Sequence, residues 1–193
     1  MITIGILIFP QVEELDFVAP YEVVSYINKL TPASTQVFII ADSSKPVQAF
    51  NGLKIIPDIT LGECPQLDVL IVPGGKGRNI AMQDTAIQRF ITRQASTAMY
   101  IASVCTGAFL LAEAGLLEGR RATTYHTALA ELAAYPNVTV EKRKVVQDGK
   151  IITAAGVSSG LELGFYLLSL LFGRDAAQTV ADKIEYALQP EII

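Results

Sequence analysis

The stretch Ala98-Met-Tyr-Ile-Ala-Ser-Val-Cys-Thr-Gly-Ala-Phe-Leu-Leu-Ala-Glu-Ala-Gly-Leu-Leu117 decides how the rest of the chain is read. Residues 98–103 are apolar or small and read as a buried parallel strand, whereas Thr106 to Ala114 has helical composition. Cys105 falls at the join, where Gly107 eases close approach. A side chain at a strand-to-helix turn is lifted out of the top of a parallel sheet, with the free N–H groups of the new helix aimed at it. That is the geometry of a nucleophile elbow. A helix N-terminus stabilises an anion, so the Cys105 thiol is expected to ionise more easily than a free one. Two other readings compete. Free cysteine is among the most buried residue types, so Cys105 also fits plain packing. The run from Arg93 to Glu113 carries no internal charge and is long enough for a bilayer. Gln94, Ser96, Thr97, Ser103 and Thr106 interrupt it, aromatic belts are missing, and Gly115-Leu-Leu-Glu-Gly119 stops the helix, which excludes a span.

Outward from this stretch the chain alternates strands and helices. Ile2 to Phe9 reads as a first strand closed by Pro10, followed by helical spacing from Val12 to Leu30. Pro20 lies inside that pattern and predicts a helix start near it. This leaves Glu13-Glu14-Leu15-Asp16 in the loop and first turn at the sheet's C-terminal edge, where α/β proteins place their sites. Acids in a first turn also serve simply to complement the helix dipole. Thr35 to Ala41 is a second strand, Val47 to Ala49 and Leu53 to Ile56 a hairpin turned at Asn51-Gly52, and Leu67 to Val72 another buried strand. That strand ends in Pro73-Gly74-Gly75-Lys76-Gly77, ahead of a helix from about Asp84 to Ala95. Neither the dinucleotide fingerprint nor the P-loop spacing is present, so Gly74 and Gly75 read as an anion-binding or oxyanion loop.

Beyond the Cys105 helix come a short strand at Arg121 to Thr124 and a helix from about Thr127 to Ala134. Strands follow at Val138 to Glu141, Lys144 to Val146 and Ile151 to Ala154, with Asp148-Gly149 turning the last pair. Helices from Gly156 to Phe172 and from Arg174 to Tyr186 close the sequence. The pattern predicts a doubly wound α/β fold with a mostly parallel sheet, as one domain over residues 1–193.

Composition narrows the function. The chain of 193 residues is 51% hydrophobic with a net charge of −4, which fits a sheet covered on both faces and a buried subunit interface. No basic stripe exists for nucleic acid; Lys142, Arg143 and Lys144 cluster beside Glu141 and read as a solvated strand end or hairpin. Cys64 and Cys105 form neither a disulfide framework nor a zinc pattern, and no metal is expected. Cys64, beside Pro65, has no helix-start context and reads as structural. The start of the chain lacks a basic leader and a cleavage site, so a reducing cytoplasm is the expected home.

In this order, Phe9-Pro10 with Glu14-Leu15-Asp16 and Pro20, Ile71-Val-Pro-Gly-Gly75, Ser103-Val-Cys-Thr-Gly107, Arg121-Ala-Thr-Thr124, Thr153-Ala-Ala-Gly-Val-Ser-Ser-Gly160 and Ile184-Glu-Tyr186 resemble the ThiJ/PfpI superfamily. The resemblance implies a class I glutamine amidotransferase-like, flavodoxin-like fold, a three-layer α/β/α sandwich. Within it, Asp16 at the acidic position and Cys-Thr at the elbow are most similar to isonitrile hydratases. This implies a lyase that hydrates an isonitrile to an N-substituted formamide without a cofactor. It also implies Cys105 as nucleophile, Asp16 as its acid/base partner, Thr106 as an accessory residue, a small-molecule substrate and a homodimer. The sensory domains of AraC-type regulators are related, but their appended helix-turn-helix is not expected in a sequence that stops near Ile193. Relatives often carry Thr-Thr-His where this chain has Thr123-Thr124-Tyr125, and its one histidine, His126, comes one residue later. A one-residue shift turns a side chain elsewhere, which argues against a Cys-His-acid triad. Glyoxalase- or deglycase-like chemistry on small carbonyls, a cysteine-based redox sensor and a non-catalytic ligand-binding module are the competing functions.

Overall fold

The computed structural model describes residues 1–189 and Ile192. In chain order it runs β1 (Ile2–Leu7), α1 (Glu14–Leu30), β2 (Thr35–Ala41), β3 (Val47–Gln48), β4 (Lys54–Ile55), β5 (Ile59–Thr60) and β6 (Val69–Val72). It continues through α2 (Arg78–Gln83), α3 (Thr85–Thr97), β7 (Tyr100–Val104), α4 (Gly107–Glu113) and β8 (Arg121–Ala122). A 3₁₀ turn (His126–Ala128) leads into α5 (Leu129–Leu132), and β9 (Thr139–Val140), β10 (Val145–Asp148), β11 (Ile151–Ala154), α6 (Ser159–Phe172) and α7 (Arg174–Lys183) follow.

One seven-stranded sheet, ordered β10-β11-β7-β6-β1-β2-β5, carries the architecture. Every pairing in it is parallel except β10 with β11, which turn back on each other through Gly149-Lys150. Strand β6 is apolar and buried throughout, and β7 is buried apart from the half-buried Tyr100, with Ser103 its one small polar residue, as suits strands covered on both faces. Helices α1, α6 and α7 pack together on one side and α2, α3 and α4 on the other. The fold is therefore the expected three-layer α/β arrangement. The chain runs from β1 to β2 on one side and then returns to β6 on the other side of β1. That reversal opens a crevice at the C-terminal ends of β1 and β6, the topological switch point where such sheets bind ligands.

One local reading needs correction: α1 starts at Glu14, not near Pro20, which lies inside the helix. Proline there removes one backbone donor and crowds the preceding turn. Helix α6 packs closely on this turn at Gly160, where a Cβ would crowd the Pro20 ring, the Leu15 carbonyl and Ala19. The short strand expected at Arg121 to Thr124 is present as β8, which pairs with β9 in a two-stranded ribbon outside the main sheet. Much of the apolar side of α6 is covered within the chain: Leu163 and Leu167 join the main core, and Phe165 and Leu168 a second cluster shared with α1 and α7, while Leu170 is 38% exposed. The uncharged run from 94 to 112 is divided between α3, β7 and α4, and among the described residues no helix is long and apolar enough to cross a membrane.

Candidate active site

Cys105 follows directly on β7 and precedes α4. Its φ is +57°, in the left-handed region that a non-glycine residue occupies at a cost of about 1–3 kcal/mol. The surroundings hold it there. The Cys105 N–H donates to the carbonyls of Ala154 (3.1 Å) and Ala155 (2.9 Å), and the Cys105 carbonyl accepts from the Thr124 hydroxyl (2.8 Å). Gly107 lies against the end of β6, where a side chain would run into the Val72 carbonyl. The sharp turn therefore depends on glycine, as its position in the sequence predicts.

The acid arrives from the helix that follows β1, with β6 lying between β1 and β7 in the sheet. Asp16, in the first turn of α1, is fully buried, and its Oδ2 accepts the Gly74 N–H at 3.0 Å. Its Oδ1 is buried without a geometrically complete hydrogen bond. The group beside the carboxyl is the Cys105 thiol, which interacts with it closely enough to perturb both titrations. Burial raises the Asp16 pKa to about 7, against the lowering effect of the Gly74 N–H, with the Glu13 carboxylate adding to the rise. Burial, then the charge of Asp16, pushes the Cys105 thiol up to about 12, although the Thr106 and Val157 amides reach the sulfur and favour its anion. The expectation of a more acidic thiol is thus reversed. A short helix start is outweighed by desolvation and an adjacent carboxylate. The two groups form a coupled pair in which the carboxyl, not the thiol, changes charge near neutrality.

The glycine loop also has a different job from the one expected. The Gly74 amide is committed to Asp16 and the Gly75 amide to the Thr106 hydroxyl, which accepts it at 3.1 Å. Neither is a free oxyanion donor. The loop instead fixes the acid and Thr106 in relation to the elbow, and it is tied to the start of α1 by the Glu13 N–H donating to the Gly74 carbonyl at 3.0 Å. No side chain fits at either glycine. A Cβ at 74 would collide with Thr106, one at 75 with the backbone of Gln11 to Glu13, and Gly75 has a φ of +132°.

Cys105, Asp16, Thr106, Gly74 and Gly75 thus converge at one place. His126 does not join them. It is exposed and stacks on Tyr125 with ring centroids 4.4 Å apart, while the Tyr125 ring packs on Gly156. The segment carrying both rings is secured by Arg78, which lies over the Phe109 ring and donates to both Glu131 oxygens at 2.8 and 2.7 Å. Sequence reasoning missed Val157 and Thr124. The amide of Val157 is aimed at the sulfur by a φ of +42°, a conformation rare for a β-branched residue and without any signal in the sequence. Thr124 was visible as a strand end but not as a brace for the elbow.

Cys64 is the other thiol. It is buried after β5, lies 3.3 Å from the Pro65 carbonyl, and has Gln94 Nε2 3.8 Å from its sulfur. Among the described residues no group of three or more His, Cys, Asp or Glu side chains is placed to hold a metal ion.

The chain resembles known proteins over nearly all of its length. The chain is 41% identical over 190 residues to the isonitrile hydratase of Pseudomonas putida, covering 97% of this chain and 79% of that one. A ThiJ/PfpI family protein from Pseudomonas syringae superposes with a TM-score of 0.89 at 33% identity, over 98% of this chain and 76% of that one. Drosophila melanogaster DJ-1beta shares the fold, with a TM-score of 0.86 at 23% identity over 96% of this chain and 98% of that one. The model of the DJ-1/PfpI family matches residues 3–170, and with a relative this similar over nearly its whole length, the chain belongs to the DJ-1/PfpI family.

Proposed function

We propose that this protein is a cofactor-free lyase that hydrates an isonitrile to an N-substituted formamide. The observation that carries the reading is the pairing of Cys105 with a buried carboxyl whose pKa is about 7. Such a group accepts and returns a proton with nearly equal ease at neutral pH. The identity with an isonitrile hydratase supports the choice of substrate class.

In this mechanism Asp16 takes the Cys105 proton as the sulfur attacks the terminal isonitrile carbon. A C–S bond forms, and the proton passes from Asp16 to that carbon, giving a thioimidate, R–N=CH–S. Water then adds to the same carbon, with one of its protons going to nitrogen. The C–S bond breaks, the formamide leaves, and the sulfur recovers its proton. The amides of Thr106 and Val157 steady negative charge on the sulfur as it enters and leaves. This role is assigned to them because the Gly74 and Gly75 amides are already engaged. Thr106 acts by holding the glycine loop, and hence Asp16, in place.

The reading treats residues 1–193 as one unit in a reducing cytoplasm, in keeping with two free cysteines. It also takes the working form as a homodimer. Support for the dimer comes from Leu15 and Val18 on the outer face of α1, with Phe50 and Leu53 on the adjoining hairpin, all at least 38% exposed. The Glu14 carboxylate binds the Asn51 backbone and side-chain nitrogens, both at 2.7 Å, and joins the two parts of this patch.

The test is an assay of wild type and Cys105→Ala with para-nitrophenyl isonitrile and methylglyoxal. Formamide from the isonitrile, lost in the variant, is the expected result. Cys105-dependent turnover of methylglyoxal alone would replace this reading with small-carbonyl chemistry.

A further inference from the structure

Next to the elbow lies a cavity of about 360 Å³, within the range of small-molecule sites. Its wall includes Thr124, whose hydroxyl bonds the Cys105 carbonyl, and Ala155, whose carbonyl accepts the Cys105 amide. The Tyr125 ring and Leu129 give it apolar sides. Lys142, Arg143 and Lys144 line it as well, and no carboxylate does. That is a concentrated positive field in a chain whose net charge is −4.

Two of these cations have partial counterions outside the cavity. Arg143 lies 3.8 Å from Glu141, and Lys144 lies 3.5 Å from Glu162. Lys142 makes no ion pair among the described residues. A second observation also points to a ligand. Ser159 lines the cavity, is 1% exposed, and its Oγ has no hydrogen-bond partner. A buried hydroxyl left unsatisfied costs about 1–3 kcal/mol, so a ligand acceptor placed there would recover that cost. The acids of the site, Glu13 and Asp16, belong to α1 and the loop before it; the cations sit on the β9–β10 connection. Cys105 and Asp16 do not themselves line the cavity, which adjoins the elbow through Thr124 and Ala155; a molecule that reaches from Cys105 past these two residues would have its remainder beside apolar walls and positive charge.

We propose that this cavity receives the tail of the substrate and selects isonitriles that carry a carboxylate on a small apolar body. The inference rests on the proposed hydration reaction for its reactive group, but the charge preference comes from the cavity alone.

The experiment compares 4-isocyanobenzoate with phenyl isonitrile on wild type and on the double variant Lys142→Gln/Arg143→Gln. Both positions are exposed, so the variant is expected to fold. Wild type should have a KM about tenfold lower for the carboxylate, as one or two charge-assisted contacts supply. The ratio should collapse towards one in the variant and in high salt, because exposed cations are screened. Equal KM values for the two substrates in wild type, or a ratio unchanged in the variant, would overturn the proposal. Should wild type turn over neither isonitrile, the hydration reading fails separately. Calorimetric titration of Cys105→Ala with 4-formamidobenzoate against formanilide then decides the cavity: preference for the anion, lost when Lys142→Gln and Arg143→Gln are added to Cys105→Ala, supports it, and no preference refutes it.

Discussion

The two cysteines of this chain make an instructive pair. Both are free and both are 6% exposed. Burial raises both thiols, Cys105 to about 12 and Cys64 to about 11. By acidity alone Cys64 is the better nucleophile. The difference lies in what surrounds each sulfur. Cys64 sits beside a carbonyl and an amide with no proton acceptor poised next to it, and the charge of Arg93 lowers its pKa slightly. Cys105 has a carboxyl that changes charge near pH 7, two amides aimed at the sulfur and a backbone held at positive φ. A resting pKa thus says little about reactivity when a base within reach removes the proton as the bond forms.

Replacing each sulfur tests this contrast most severely. Cys105→Ala should reduce isonitrile turnover by ~10⁴-fold or more, as loss of a covalent nucleophile does. Cys64→Ala should leave it within a few-fold. Comparable losses in both variants would erase the distinction.

Removing only the base is the next step down. Asp16→Asn keeps shape and the acceptor for Gly74 but cannot exchange the proton, so kcat should fall by ~10²–10⁴. In wild type, kcat/KM should rise with pH through a midpoint near 7, where Asp16 ionises, and this limb should vanish in the variant. A rate within a few-fold of wild type, with the same pH profile, would make Asp16 merely a helix acid.

The same substitution has a stability signature of opposite sign. Asp16 releases its proton at about 7 in the folded protein and at 3.8 when unfolded. The folded state therefore binds the proton more tightly. Stability from this group is complete below about pH 4 and is lost as pH rises to about 7. Asp16→Asn abolishes that slope and should melt above wild type at pH 8, with a gain on the order of a few kcal/mol. Chemical denaturation at pH 5 and pH 8 measures it, and a variant less stable at pH 8 would show that the charged form is not penalised.

The smallest expected effect is labelling selectivity. Limited iodoacetamide or peroxide treatment, read by mass spectrometry, should modify Cys105 about tenfold faster than Cys64, and Asp16→Asn should shrink that preference. Preference for Cys64 in wild type would mean that thiol acidity governs after all.

Much of this was legible in the sequence. The elbow followed from an apolar strand, a cysteine and Thr-Gly opening a helix, and the close approach at Gly107 followed from glycine alone. What escaped was decided by distant neighbours. Pro20 reads as a helix start by local rules, whereas it lies inside α1, packed against Gly160 far along the chain. The Cys105 thiol reads as acidic from its helix, and its own burial, with the charge of Asp16 second, reverses the sign. The glycine amides read as free donors until Asp16 and Thr106 are seen to occupy them. In each case the local signal was correct about position, and a long-range contact decided the chemistry.

The fit of α6 against the first turn of α1 also bears on the birth of the protein. Translation delivers Asp16 and then Cys105 well before Val157 and Gly160, and domains assemble as units once their long-range contacts are available. A nascent chain halted before residue 157 would expose its acid to water, lack the Val157 amide at the sulfur and have nothing to seat the Pro20 turn. The reactive pair is thereby completed only by the closing segments of the polypeptide, so fragments released early from the ribosome would carry an ordinary thiol instead of a working one.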